Sequence, residues 1–300
     1  ANHHFKNANK NYQDEKYRRA AEDYEEALKL NPDLKVAYFY LGTSYSALYR
    51  PSDESERNTE TRDNAIKYLD LALENDPDNK NIILALGDIH NKANNTYKAE
   101  EYFLRILDFE PDNPNNYNII ADFYDKTGEI DRAVEMYQRR IALDPDDPDG
   151  YYYLAHYLTL KRKLDPAIEY HEKRISRLED RTNLEVPEEK QKLAEAYYAL
   201  GVAIWLKSYN VPGELMPPQE RLDLVAKGME VLDKAIELSP EYPEPWSYKG
   251  LLLREQASKA DTLNSEALLA EAQKMVERFN DLRRRKLETE AYMRELEKSE

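Results

Sequence analysis

One short phrase recurs along this chain at a nearly fixed distance, and that recurrence limits the fold more than any other feature. The run AEDYEEALKLNP at 21–32 returns as AIKYLDLALENDP at 65–77, AEEYFLRILDFEP at 99–111, AVEMYQRRIALDP at 133–145 and GMEVLDKAIELSP at 228–240. Pro77, Pro111 and Pro145 are spaced by thirty-four residues (111 − 77 and 145 − 111). A unit of this size cannot bury its own apolar face, so it must stack on its neighbours to be stable. Each closing proline ends a helix, and the Asn, Asp, Glu or Ser before it leads the chain into a turn.

The rest of each unit keeps the same register. Its first helix carries Leu41-Gly42 with Tyr38 and Tyr45, Leu86-Gly87, Ile120-Ala121 with Tyr117 and Tyr124, Leu154-Ala155 with Tyr151, or Leu200-Gly201 with Tyr197. Its second helix supplies a small residue, Ala20, Ala65, Ala99, Ala133, Ala167 or Gly228, with large ones such as Tyr24, Phe103 and Tyr137 four positions on. Small and large residues therefore alternate on one helical face, which lets the two helices of a hairpin approach closely.

Composition removes several classes of function. Lys+Arg 43 against Asp+Glu 59 gives 43 − 59 = −16, a field that repels nucleic-acid phosphates and anionic headgroups. With Cys 0 there is no disulfide, Cys-ligated zinc, iron–sulfur cluster or thiol nucleophile. Gly 8 leaves almost no material for glycine-rich phosphate loops, and no apolar run is long enough to span a bilayer. The chain starts at Ala1 without an initiator Met, which is compatible with a removed signal peptide or a preceding lipid-bearing cysteine.

The period, the small and large positions and the closing proline closely resemble tetratricopeptide repeats (TPRs) over nearly the whole chain. The resemblance implies an all-α, right-handed superhelical solenoid of seven helix-turn-helix units, at about 1–34, 35–79, 80–113, 114–147, 148–192, 193–242 and 243–282. Three units carry extra residues in the turn inside the hairpin: RPSDESERNTETRDN at 50–64, SYNVPGELMPPQER at 208–221 and EQASKADTLNSE at 255–266. Unit five lacks the closing proline. The expected organisation is therefore units one to five over 1–179, an irregular linker at 180–192, units six and seven over 193–282, and a charged capping helix over 283–300. The placement of the insertions and the late helix YKGLLLREQAS resemble a group of exported bacterial TPR proteins. That implies a periplasmic, lipoprotein or cell-surface location, with the cytoplasm as the alternative.

In the family's geometry the first helix of each unit lines a groove. The positions implied to face it are Phe39, Thr43 and Ser46; Leu84, Asp88 and Asn91; Asn118, Asp122 and Asp125; Tyr152, His156 and Thr159; and Tyr198, Val202 and Trp205. From these the expected partner-binding set is Thr43, Asp88, Asn91, Asn118, Asp122, Asp125, Tyr152, His156, Tyr198 and Trp205. Amides suit a peptide backbone, carboxylates suit Lys or Arg, and rings offer contact area at low entropic cost. Asp88, Asn118 and Asp122 stand where a basic clamp on a partner's terminal carboxylate would need cations, which disfavours that specialised role. The three carboxylates of the groove set, Asp88, Asp122 and Asp125, could equally be solvated positions of an acidic protein.

The tyrosine count is high, 24, and for six of them packing is the stronger reading. Tyr38, Tyr45, Tyr117, Tyr124, Tyr137 and Tyr197 occupy the large positions, where a ring packs while its hydroxyl reaches water. In Tyr151-Tyr152-Tyr153 at least one ring must leave the core, and Tyr152 is the one expected in the groove. Of five histidines, His90 and His171 fall at packing positions, His156 falls in the groove, and the terminal pair His3-His4 reads as a polar end. No zinc motif, nucleophile elbow or phosphate loop is present, so no metal, cofactor or catalytic residue is expected. The basic run Arg283-Arg284-Arg285-Lys286 reads as part of a solvated cap, and Asn94-Asn95-Thr96 matches a short glycosylation pattern. Two functions remain: a non-enzymatic scaffold holding a polar or basic polypeptide in its groove or along the insertion-bearing edge, or a structural subunit or decorating protein of a filament, surface polymer or envelope assembly. The second includes contacts between copies of the chain.

Overall fold

A computed structural model describes residues 1–259 and 262–299, which form fourteen α-helices and no strand among the described residues. They fall into seven consecutive pairs: α1 (Asn2–Gln13) and α2 (Tyr17–Leu30), α3 (Lys35–Leu48) and α4 (Glu56–Asn75), α5 (Lys80–Lys92) and α6 (Thr96–Phe109), α7 (Pro114–Lys126) and α8 (Ile130–Leu143), α9 (Pro148–Leu160) and α10 (Leu164–Glu179), α11 (Pro187–Asn210) and α12 (Pro218–Leu238), α13 (Glu244–Ala257) and α14 (Thr262–Ser299). The chain divides into two compact units, Ala1–Arg139 and Arg140–Glu300, with the division inside α8. Each is a helical solenoid of stacked hairpins.

The period of thirty-four is visible in the backbone chemistry as well as in the prolines. Asn79, Asn113 and Asp147, spaced by 113 − 79 and 147 − 113, cap α5, α7 and α9 by accepting from backbone N–H groups in the first turn. Pro114 and Pro148 follow two of those caps at the first helical position, where a missing N–H costs nothing. Asn94, Gly128 and Arg162 repeat at the same interval with φ of 57°, 82° and 58°, and Glu15 (57°) does the same in the first unit. This left-handed residue turns the chain from the first helix of a hairpin into the second. A third lock joins units: the Tyr117 hydroxyl donates to the Pro111 carbonyl and that of Tyr151 to Pro145, both at 2.8 Å, and the Trp246 indole reaches Pro240 at 3.3 Å.

Packing follows the expected alternation. Ala20, Ala65, Ala99, Ala133 and Ala167 are fully buried, and Gly42, Gly87 and Gly201 lie under large side chains of the partner helix. A Cβ on Gly42 would stand 2.7 Å from Leu69 Cγ and 2.9 Å from the Leu69 amide, so α3 and α4 are as close as their backbones allow. Tyr117, Tyr124 and Tyr197 are buried, whereas Tyr38, Tyr45 and Tyr137 are half-buried. The hydroxyls do not simply reach water: Tyr45 donates to Glu25, Tyr124 to Glu100 and Tyr197 to Glu179, each on the helix preceding its own.

Part of each of the first two insertions is helix. Only 49–55 is loop in the first, because Asn58 in α4 is buried and ties the loop with bonds to both the Arg50 backbone N–H and carbonyl and to the Asp53 carbonyl. In the second, 211–217 is loop; Arg221 donates to the Val211 carbonyl at 2.6 Å and Met216 is buried. The third insertion runs through 260–263, which partly lies outside the described residues. Where an irregular linker is expected at 180–192, α11 begins at Pro187, and Ile175, Leu178, Leu193 and Tyr197 share one core across the short turn. The charged segment 283–300 is not a separate capping helix over its described residues but the end of α14.

Candidate partner-binding surface

In unit Ala1–Arg139, α5 lies beside α3, with Lys92 reaching the Ser46 carbonyl at 3.4 Å, and Asp122 and Lys126 of α7 are near enough to Asp88 of α5 to act on its charge. On this face Asp88 and Asp122 are exposed, and Lys126 pairs with Asp122 at 2.6 Å. Asp88 reaches solvent yet is crowded by neighbouring helices. That crowding raises its carboxyl above the usual range; Lys92 and Lys126 oppose the rise and Asp122 adds to it. Lys126 is shifted up in turn, chiefly by its bond to Asp122. The expected acidic stretch is therefore a mixed one, with lysines interleaved among the carboxylates.

The other expected residues of this unit differ in what they offer. The Thr43 hydroxyl donates back to the Phe39 and Tyr40 carbonyls at 3.0 and 3.1 Å, so its proton is occupied. Asn91, Asn118 and Asp125 are half-buried, and Asn118 Oδ1 is buried with no hydrogen-bond partner.

In unit Arg140–Glu300 the corresponding face belongs to α9, α11 and α13, and here the rings join. Tyr152 stacks on His156 at 5.7 Å between centroids, and the Arg174 guanidinium lies over the Tyr152 ring, 4.6 Å from its centroid. Arg174 is 6% exposed and its Nε has no partner; burial lowers its pKa, while Tyr152, Asp149 and Glu195 oppose that. Tyr198 packs edge-on against Tyr242 and Tyr248, and Trp205 packs edge-on against Tyr248 and stacks on Tyr209. Burial shifts the Tyr198 and Tyr242 hydroxyls upward, so both stay neutral donors. His156, Tyr198, Trp205, Tyr209 and Tyr248 border one concavity of about 540 Å³, with Leu160 and Tyr209 exposed at its rim (64% and 67%).

His171 forms part of the same concavity and is 2% exposed. The Thr159 hydroxyl donates to the Ala155 carbonyl at 2.8 Å, so its contact with His171 Nε2 at 3.2 Å has the imidazole N–H as donor. Nδ1 is then the bare nitrogen, buried and without a partner. Desolvation, with Arg174 and His156 adding to it, pushes this histidine down to about 3.

Sequence reasoning thus finds four of the rings and misses Tyr209, Tyr242, Tyr248 and the cation beneath Tyr152. Tyr209 was legible as the i+4 neighbour of Trp205, and Lys92 and Lys126 as the i+4 neighbours of Asp88 and Asp122. Among the described residues no cluster of His, Cys, Asp and Glu has the arrangement of a metal site, and no helix is long and apolar enough to cross a membrane.

Family models described as tetratricopeptide repeat match residues 60–122 and 114–157. No curated protein matches the sequence. Among solved structures, the C-terminal part of a TPR repeat-containing protein from Cytophaga hutchinsonii is 14% identical and superposes with a TM-score of 0.57 over 90% of this chain and 95% of that one. TTC0263, a TPR protein of Thermus thermophilus, is 24% identical, with a TM-score of 0.41 over 50% of this chain and 77% of its own. MamA is 20% identical, with 0.42 over 58% and 95%. From the repeat period, the seven helical pairs and the two matching repeat models, the chain is a tetratricopeptide-repeat protein.

Proposed function

We propose that this protein is a non-enzymatic scaffold that holds an extended, polar or basic segment of another polypeptide, with the ring-lined concavity of unit Arg140–Glu300 as a main contact. TPR folds are protein-interaction scaffolds in general, and generally not catalysts. The observation that carries the specific reading is the continuous ring surface of Tyr198, Tyr248, Trp205 and Tyr209 bordering a concavity with exposed Leu160. Such rings bury area at little conformational cost, and their hydroxyl and indole groups remain able to bond a peptide backbone. The preference for a basic segment rests on Asp88, Asp122 and Asp125 in the other unit, reduced by Lys92 and Lys126 beside them. An exported location, proposed from the looser resemblance to exported bacterial TPR proteins, is open to cell fractionation.

The test begins with crosslinking and mass spectrometry on protein taken from its native source, which names the partner segment. That segment is then titrated by fluorescence anisotropy. Trp205→Ala should weaken binding about thirtyfold or more, the size of an interface hot spot. Asp122→Lys should weaken a basic segment and leave a neutral one unaffected. Unchanged affinity in a folded Trp205→Ala protein would remove the concavity from the binding surface.

A further inference from the structure

The last helix outruns its support. Along α14, Ala272 and Leu282 are buried at 0% and 2% exposure and Phe279 is half-buried, whereas residues 283–297 are exposed apart from a half-buried Glu290. At 1.5 Å per residue, the helix from 283 to 299 runs on for roughly 25 Å. The apolar stripe breaks for one heptad beyond the support and then resumes. With Phe279 and Leu282 at heptad positions a and d, Lys286 and Thr289 occupy the next pair, and Met293 and Leu296 the one after. Tyr292, Met293 and Leu296 are 61%, 52% and 42% exposed.

The charges on this stretch are polarised. Arg283, Arg284, Arg285 and Lys286 come first, and Glu288, Glu290, Glu295 and Glu297 follow, with Arg294 and Lys298 in the same half. Arg284 and Arg285 are held by Asp281 at 2.7 Å, and Arg294 lies 3.7 Å from Glu290. Arg283 instead lies over the Phe279 ring, 5.9 Å from its centroid, and both Arg283 and Glu297 are exposed. A parallel pair of such helices would set basic run against basic run. An antiparallel pair sets each basic run against the other's acidic end, and it aligns like heptad positions: 283, 290 and 297 are all e.

We propose that the C-terminal part of α14 is a self-association surface that pairs antiparallel with the same helix of a second copy, Arg283 of each copy facing the partner's Glu297. The two-fold axis then passes near Glu290, which Arg294 already neutralises, and near Tyr292, whose two rings meet across it. The contact is isologous, so it closes at a dimer and does not propagate into a filament. The polar pair Lys286 and Thr289 in the seam keeps the association modest and fixes its register.

Sedimentation velocity of the full chain from about 1 µM to about 500 µM should show a concentration-dependent monomer–dimer equilibrium. Arg283→Glu and Glu297→Arg each place like charges at both symmetric contacts, and each should weaken the dimer by about tenfold to a hundredfold. An equimolar mixture of the two variants restores both contacts, as does the double variant Arg283→Glu/Glu297→Arg, so both should dimerise like the unaltered chain. Restoration also establishes that the single variants are folded. A chain that is monomeric throughout, a dimer indifferent to the single reversals, or a mixture that stays monomeric would each overturn the proposal.

Discussion

Acidification should loosen the unit Arg140–Glu300 through one buried imidazole. His171 is neutral in the fold, with Nε2–H donated to Thr159 and Nδ1 facing no acceptor, so a second proton would bury a charge and an unsatisfied donor together. Its pKa falls from an ordinary 6.5 to about 3 through desolvation, with Arg174 and then His156 adding to it. Between those two values the unfolded chain binds the extra proton and the fold does not. Stability is therefore complete above pH 6.5 and declines as pH falls, with a limiting slope of about 1.4 kcal/mol per pH unit. By pH 5 the loss from this residue reaches about 2 kcal/mol. Both tryptophans of the chain, Trp205 and Trp246, lie in this unit, so their fluorescence in urea titrations at pH 8, 7, 6 and 5 reports on it selectively. The comparison is with His171→Gln, whose amide can keep the donation to Thr159 but cannot titrate. Other groups titrate alike in both proteins and cancel in the difference. The variant should lose about 2 kcal/mol less between pH 8 and pH 5, and equal pH slopes in the two proteins would refute the assignment.

Three further outcomes follow from the packing. Arg162→Gly relieves a left-handed backbone (φ 58°) and should stabilise the unit by about 0.5–1 kcal/mol in the same fluorescence assay, the relief of strain exceeding the entropy cost of glycine. Gly42→Ala drives a methyl to 2.7 Å from Leu69 Cγ and should cost about 1–3 kcal/mol in thermal melts, whereas Gly213→Ala, with nothing within 4 Å, should be nearly neutral. Tyr124→Phe removes a hydroxyl that donates to Glu100 at 2.9 Å and accepts from Arg132 at 2.6 Å, at a cost of about 1–2 kcal/mol at pH 7 by urea titration followed by circular dichroism. Arg132 and Tyr124 hold the Glu100 carboxyl below the usual carboxylate range, so that contribution should be intact at neutral pH and fade as pH falls below about 4.

The architecture was legible because several independent features share one period. The prolines, the small residues and the aromatic positions are all visible in the sequence, and the caps at Asn79, Asn113 and Asp147 obey the same count. Helix in the insertions was hidden because their residues are polar and keep no apolar period. What orders them is a single buried amide, Asn58, and a single buried guanidinium, Arg221, and no propensity rule picks out either. The site was legible only residue by residue. Position in the repeat tells which side chains leave the core, so Tyr152, His156, Tyr198 and Trp205 were found. It does not tell which rings from neighbouring helices meet, and Tyr248 enters only because α13 packs beside α11. The carboxylates of the other unit were read without the lysines one helical turn away, so their field was overestimated.

The hydroxyl locks onto the closing prolines bear on how such a chain can change its length. Tyr117 holds Pro111 and Tyr151 holds Pro145, six residues back in each case, and each helix start is capped from the residue just before it. These fastenings are therefore internal to a short window whose phase repeats. Removing residues 80–113 would join Asn79 directly to Pro114, leaving a capping amide in front of a proline at the first helical position, as at Asn113 now. Gain or loss of whole thirty-four-residue blocks leaves these fastenings in phase, while a cut of another size across a joint parts cap, proline and hydroxyl, so length can change freely only by whole repeats or within the hairpin turns.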